Sequence, residues 1–469
     1  MPAIVTNKFR IANAANFKTQ VDLGKTYIYI GKSDAWSDTY TDTTDVADPA
    51  TPLDTLNEES DVHDNMIAMK KIITGDISHV NARHNWVSGG IFVPYDDQDA
   101  DIYDKAWYCV TDQFKVYACV NVTAAAAGVV TKPVHVQTSY AVKESDGYTW
   151  KYMYTLQASD ANKFLTTNYM PVKTVVSANN GVDLAGVPDD KTQWDAQEAA
   201  ETNNNGSIYR IVVVGGGTDY DFTGLAVTIT GNGSGASVVS AVAADDVTIT
   251  AGVITEIQVQ VANRGANYEQ ANVAITHTGH TGTVATARAV LSPGKGHGSD
   301  PVANLGAFYM STNVQLTYGD GSGDFITDNA FRQVGIIQSP FNYGTEVIAT
   351  DTTVSALRSL NVTAANVYVK GDVISGDTSG AIAFIDSVNT ATNVIKYHQN
   401  FKTGWVPFQA ETTTKLVGTG TAGAGAGTIN SLVAEEYERF TGDILFIENR
   451  DPVNRSTTQI EDVKIIIEF

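Results

Sequence analysis

The chain has 469 residues, enough to bury a sizeable core without disulfide or metal staples, and by length alone about three domains of ordinary size. Thirty Lys and Arg stand against 52 Asp and Glu, a formal net charge of −22. That excess argues against nucleic acid and against an anionic membrane surface as partners, and it favours solubility at high local concentration. Two cysteines, Cys109 and Cys119, are too few for a disulfide scaffold or a four-thiolate zinc site.

The first 17 residues lack the apolar core of a secretory signal, and no segment reaches the roughly 18 apolar residues of a membrane span; 124–130 comes nearest. The expectation is a chain kept in a cytoplasm, or assembled there into something larger. Four Asn-x-Ser/Thr sequons, at Asn121, Asn205, Asn361 and Asn454, carry no weight without such a signal. Thr26–Ile30 reads as a strand closing at Gly31. Val62, Met66, Met69 and Ile73 recur at helical spacing, which predicts a helix over Val62–Ile73, capped by Ser60 or Asp61 and ended by Gly75. The segment WYCVTDQFKVYACV predicts a hairpin with its two cysteines on adjacent strands, buried as small hydrophobes. No basic or helical neighbour is present to activate either thiol. In the strand Gly147–Tyr154, period-two spacing puts Tyr148, Trp150, Tyr152 and Tyr154 on one face. A second helix is predicted over 189–202, with acidic residues early and a stop at 203–206. The segment Val463–Phe469 is a strand running to the last residue, expected to be tied into a sheet.

From about 206 to 296 aromatics thin out and Gly, Thr, Val and Ala dominate. An internal repeat lies here. Gly217, Tyr220, Val227 and Ile229 match Gly265, Tyr268, Val273 and Ile275, an offset of 46 to 48 residues. Each copy reads strand, Gly-x-x-Tyr turn, strand, Gly-rich turn. A second strand-rich region spans 346–434 and contains the low-complexity stretch 418–427. The predicted class is mainly β with a few helices (α+β) and multi-domain. A body of 1–205, to which 297–345 and 435–469 return, carries two β-rich inserted lobes, 206–296 and 346–434.

The motifs that could carry chemistry fail on inspection. Gly24-Lys25-Thr26 and Gly31-Lys32-Ser33 resemble the end of a phosphate loop, but the required glycine five residues earlier is Thr19 or Thr26. IVVVGGGTDY resembles a dinucleotide fingerprint, but Tyr220 occupies its third glycine position and no helix follows. Asp97-x-Asp99-x-Asp101 opens like a calcium loop, but Ile102 and Tyr108 stand where Gly and a bidentate Glu are needed; Asp320–Asp324 fails in the same way. His277-x-x-His280 with His297 is the best metal candidate, set in Gly/Thr loops that weaken it. The glycine cluster around Ser322 lacks the strand-to-helix elbow of a serine nucleophile. Carboxylate pairs are plentiful, but with 52 acids pairs arise by chance, so they identify no glycosidase. No catalytic residue, metal or cofactor is assigned.

The arginines are more informative. Several sit inside aromatic or apolar strings: Ala82–Trp86, Ala330–Val334 and Ile447–Pro452. There a guanidinium fork can satisfy several carbonyls or a carboxylate. For each one alone, tying a loop to the core outweighs an interface role.

Taken in order, these strings resemble the gene-eight baseplate wedge subunits of T-even-like contractile-tail bacteriophages. The carrying segments are Ile4–Arg10, Tyr27–Lys32 followed by Trp36-Ser37, Arg83–Trp86, Gly147–Tyr152, Phe331–Ile337, Gly442–Arg450, Gln459–Asp462 and the terminal strand ending at Phe469. The resemblance covers about 1–205, 300–345 and 435–469. It leaves out both Gly/Thr-rich regions, which look longer than in the best-known member. It implies a structural, non-enzymatic virion protein, mostly β, a homodimer assembled in the host cytoplasm into the tail baseplate beside other wedge subunits. Arg10, Trp36, Arg83, Trp86, Arg332 and Arg450 are then the structural or interface candidates, and exposed aromatics such as Trp36, Trp86 and Trp405 would suit large apolar interfaces. The competing reading is a carbohydrate-binding or carbohydrate-cleaving tail component. A cleft with aromatics beside two carboxylates would favour it, and a flat aromatic patch would favour assembly. A soluble metabolic enzyme has no motif behind it.

Overall fold

The computed structural model describes the chain except at residues 1–2, 43, 45–48, 124–126, 177–187, 204, 241–245, 322 and 418–425. Most of the low-complexity stretch 418–427, Ser322 and part of 124–130 therefore lie outside the described residues. The protein is a β-rich α+β fold with several sheets and a small barrel. It divides into two compact units: one comprises the residues to Ala15, Ser78–Ser311 and Ile466–Phe469, the other Asn16–Ile77 and Thr312–Ile465. The 206–296 region belongs to the first unit and 346–434 to the second.

In the first unit, an antiparallel sheet runs in the order Tyr108–Val110, Lys115–Val122, Tyr148–Thr155, Val142–Lys143. The predicted hairpin is present, with Cys109 and Cys119 on its two strands, both buried and free. Burial drives both thiol pKa values up, so neither is a ready nucleophile. The sheet is covered on both faces. Val116, Ala118, Val120 and Tyr154 join one core with Trp107 and Leu305. Cys119, Tyr117, Tyr148, Trp150 and Tyr152 join another, with Ala196 of the helix Pro188–Asn203. The aromatic ladder thus holds for three of its four members. The register slips between Val116 and Tyr117, which oppose Tyr154 and Tyr152, so Met153 is an extra residue and Tyr154 turns into the opposite core.

The two copies pair with each other. Leu225–Gly231 pairs antiparallel with Ala271–His277, placing Val227 opposite Ile275 and Ile229 opposite Val273. Exchanging the copies maps each of these pairs onto the other, so the halves meet about a local two-fold axis at Thr228 and Ala274. Gly217 and Gly265 have φ of 63° and 61°. Each copy's tyrosine hydroxyl accepts a backbone N–H from the tail of the other: Tyr220 from Ala285 at 2.8 Å and Tyr268 from Ala236 at 3.3 Å. Both rings are buried in one shared core with Ile208, Ile211, Val247 and Ile254.

In the second unit, five antiparallel strands run Thr353–Ser355, Met66–Lys71, Thr26–Gly31, Ala330–Gln338, Asp443–Asn454. Here the helix predicted over Val62–Ile73 is corrected. A helix spans Leu56–Asn65, with Thr55 accepting from the Glu58 N–H at 3.3 Å, and the backbone turns extended at Met66 (ψ 134°). Met66–Lys71 is an inner strand, because Met66, Ile67, Ala68 and Met69 are buried on both faces between two neighbours. An apolar run buried on both sides carries no alternation to distinguish it from a helix. The helix Asn7–Asp22 was also not foreseen; Ala14 and Val21 are its only fully buried apolar residues, too few to mark a stripe. Strands from Arg358 to Val433 close into a six-stranded barrel around Leu360, Tyr368, Ile374, Ile385, Ile395 and Tyr397. Closure leaves that lobe no free strand edge.

Candidate functional site

The six candidates serve mainly as ties. Arg10 donates to the Phe469 carbonyl and the Glu468 carboxylate, and its guanidinium carbon lies 3.5 Å from the Phe308 ring centroid. It clamps the last residues of the chain. Arg83 donates to the Thr166 carbonyl and the Asn85 side chain, both at 2.8 Å. Trp86 packs half-buried on the aromatic core of the first unit. Arg332 is buried and donates to the Ser33 carbonyl. The indole N–H of Trp36 donates to the Arg450 carbonyl at 3.1 Å, which brings two candidates together. No common site unites all six.

Arg332 points to what the sequence did not reveal. Beside it, at the end of the strand Thr26–Gly31, lies a buried ionic network. Asp34 accepts from Lys32 at 2.8 Å and from Lys402 at 2.5 Å, and its other oxygen is 3.4 Å from His398 Nε2. His398 Nδ1 lies 2.8 Å from Asp386, which also accepts from the Ser33 hydroxyl. Asn400 bridges Asp34 and Asn65. The side chains of Asp34, His398, Asp386 and Lys402 are at most 3% exposed.

Serine, histidine and aspartate in contact invite comparison with a nucleophilic triad, and the geometry rejects it. Ser33 gives its proton to Asp386, and its contact with His398 is a long 3.4 Å on the same nitrogen that faces Asp386. Burial works to lower the His398 pKa, but the two flanking carboxylates overcome it and push it up to about 9. A charged imidazole cannot accept the serine proton. Asp34, against its own burial, is held well below the usual carboxylate range by Lys32, His398 and Lys402. The network is a bolt joining the barrel strands that carry Asp386 and His398 to the corner at Lys32–Asp34.

A second network adjoins it in sequence. Glu435 takes Arg358 at 2.8 Å and Arg439 at 2.9 Å, and Asp64 takes the Trp405 indole N–H at 2.8 Å. Around this fixed frame stand exposed apolar side chains. Trp405 is 56% exposed and Phe440, whose ring lies 5.6 Å from that of His63, is 59%. Phe401 and Val406 are likewise exposed.

The metal candidates resolve differently. His277 and His280 stand together, with ring centroids 5.8 Å apart. His277 meets Asp221 at 3.1 Å and His280 the Thr218 carbonyl at 2.7 Å. His297 is in another place, buried among Tyr95, Trp107 and Tyr209. The acidic loops are spoken for by cations: Asp99 by Lys105 at 2.5 Å, Asp96 by Arg288 at 2.5 Å, Asp320 by Lys70 at 2.7 Å. Among the described residues no three metal-ligating side chains converge.

Two cavities of about 440 Å³ each lie in the first unit. One contains Trp194, Glu198 and Asp300. Asp300 is engaged there, accepting from the Thr174 hydroxyl and capping the short helix Pro301–Leu305. The other is lined by Arg264 and serines. No family model and no curated protein matches the chain.

Proposed function

We propose that the protein is a structural subunit of a contractile-tail baseplate wedge, acting through permanent contacts with a second copy of itself and with other wedge subunits in the virion. The ordered strings from Ile4–Arg10 to the terminal strand support this reading by resemblance. The observation that carries it is the exposed group Phe401, Trp405, Val406 and Phe440, held on a backbone fixed by buried ion pairs. Large rigid aromatics on a pre-ordered frame lose little conformational entropy on association and give much apolar area, as a permanent interface requires. The carbohydrate reading has one observation in its favour, Trp194 beside Glu198 and Asp300 in a cavity. It is the weaker, because the Asp300 carboxylate already serves its own helix and Thr174.

Co-expression with the other wedge subunits tests the choice. The expected result is a stable complex with no release of reducing ends from host-envelope polysaccharide. Phe401→Ala with Phe440→Ala should weaken that complex at least tenfold while leaving the fold intact. Steady sugar release abolished by Glu198→Gln would instead establish the carbohydrate reading.

A further inference from the structure

Lys151 stands on the strand Tyr148–Thr155, fully buried, on the face of the sheet opposite the helix Pro188–Asn203. Its Nζ donates to the Thr138 carbonyl. Against it stand Arg264 and His297, both buried. The Arg264 guanidinium hydrogen-bonds the Tyr209 side chain and lies 4.2 Å from that ring's centroid, and His297 packs edge-on against the same ring. His135, from the segment that carries Thr138, faces Lys151 as well. The neighbouring strands present Ala118 opposite Lys151 and, at the sheet edge, Lys143, which donates to Gln258 at 2.9 Å. Among the described residues no carboxylate forms an ion pair with Lys151 or Arg264. A fully buried ammonium with a guanidinium beside it and no counter-ion gives up its proton. Burial first, and Arg264 second, lower Lys151 to about 7.

These groups lie where the repeat region meets the aromatic sheet. Elsewhere on that seam Arg288 and Arg210 reach Asp96 at 2.5 Å and 3.8 Å. Against its own burial, the two arginines hold the Asp96 carboxyl below the usual carboxylate range, so those pairs persist in weak acid. A cavity of about 440 Å³ adjoins Arg264, walled by Ser139 and Tyr140 ahead of the sheet and by Ser234, Val261 and Gly265 of the repeat, and leaves room for movement.

We propose that Lys151 is a pH-sensitive latch between the sheet and the repeat region: proton uptake as pH falls to neutrality sets a second cation against Arg264, and the repeat region loosens there while the Asp96 pairs keep it attached. The latch does not depend on the assembly reading. In an opened seam Lys151 regains its ordinary value of 10.5, so it binds a proton where the closed form has shed it. Opening is therefore easiest at and below pH 7, and these two values make it roughly fifteenfold rarer at pH 8.5. His135 and His297, lowered by burial to about 4 and about 3, favour opening chiefly below their ordinary 6.5, outside that window.

Hydrogen exchange of the full chain, read by mass spectrometry at pH 7 and pH 8.5 and corrected for intrinsic rates, tests the latch. Segments 148–155 and 262–268 should open roughly fifteenfold less often at the higher pH, while 396–404 moves the opposite way through His398. Lys151→Met keeps a long buried stem without the charge and should reduce the change in 148–155 and 262–268 to about twofold or less. Less than about a threefold change in the parent chain, a result that needs no variant to fold, overturns the proposal, as does the full change retained in Lys151→Met.

Discussion

Replacing Asp34 by Asn removes one buried negative charge while keeping volume and shape, so no cavity term enters. In the parent, Asp34 faces Lys32 at 2.8 Å, Lys402 at 2.5 Å and His398 at 3.4 Å. After the change His398 keeps Asp386, while Lys32 and Lys402 lose the carboxylate they share. Breaking a buried pair by removing one partner costs ~3–5 kcal/mol, because the remaining charge stays desolvated. Lys32 softens the loss. Burial already lowers its pKa against the pull of Asp34, so it sheds its proton readily once Asp34 is neutral. The expected loss is therefore at the low end, about 3 kcal/mol, or roughly a hundredfold in a local opening equilibrium. Hydrogen exchange read by mass spectrometry reports this directly: segments 30–36 and 396–404 should exchange about that much faster, with 148–155 unchanged. The double variant Asp34→Asn, Lys402→Met should recover part of the loss, since it removes a stranded cation. Less than about a threefold change in the single variant, or a double variant worse than the sum of the two singles, refutes the reasoning that these charges bolt the barrel in place.

Gly217→Ala and Gly265→Ala should each cost more than ~1 kcal/mol in chemical denaturation, because both sites have positive φ and an added Cβ would lie 2.4 Å from the Thr283 carbonyl oxygen or the Ala236 nitrogen. Gly279→Ala, at φ 76° with open space around it, should cost less, and unequal losses at the two repeat glycines would break the two-fold reading. His398 has a folded pKa of about 9 against an ordinary 6.5, so its stabilisation is complete below about pH 6.5 and is lost as pH rises through 9. Melting temperature should fall on that alkaline limb, and His398→Gln should flatten it.

Much of the architecture was legible in the sequence because local pattern and final environment agree. The cysteine hairpin, the helix at 188–203 and the repeat each carry their signal within a few dozen residues. The failures share one cause. Met66–Lys71 looks helical because an inner strand needs no polar face, and the aromatic ladder broke at Met153 because a single extra residue reverses every side chain beyond it. The Asp34 network was illegible for a different reason. Ser33 and Asp34 lie more than 350 residues from Asp386, His398 and Lys402 in sequence, and no spacing rule connects the two stretches. The sequence had singled out Arg332, which lies at its edge, only for its apolar surroundings.

The buried positive charges sort into two kinds, those paired with a carboxylate and those without one. In the second unit Lys32, Lys402, Lys415, Arg439 and Arg455 each have a carboxylate within 3.4 Å. Such pairs close upon themselves and hold backbone in place. Arg264 and Lys151 have hydroxyls, carbonyls and aromatic faces as neighbours, and no acid within ion-pair distance among the described residues. Burial itself relieves part of the cost at Lys151, whose pKa falls to about 7, so the proton is shed instead of being paired. A buried base in this chain is thus either paired with a carboxylate, as Lys402 is, or brought towards neutrality by its surroundings, as Lys151 is.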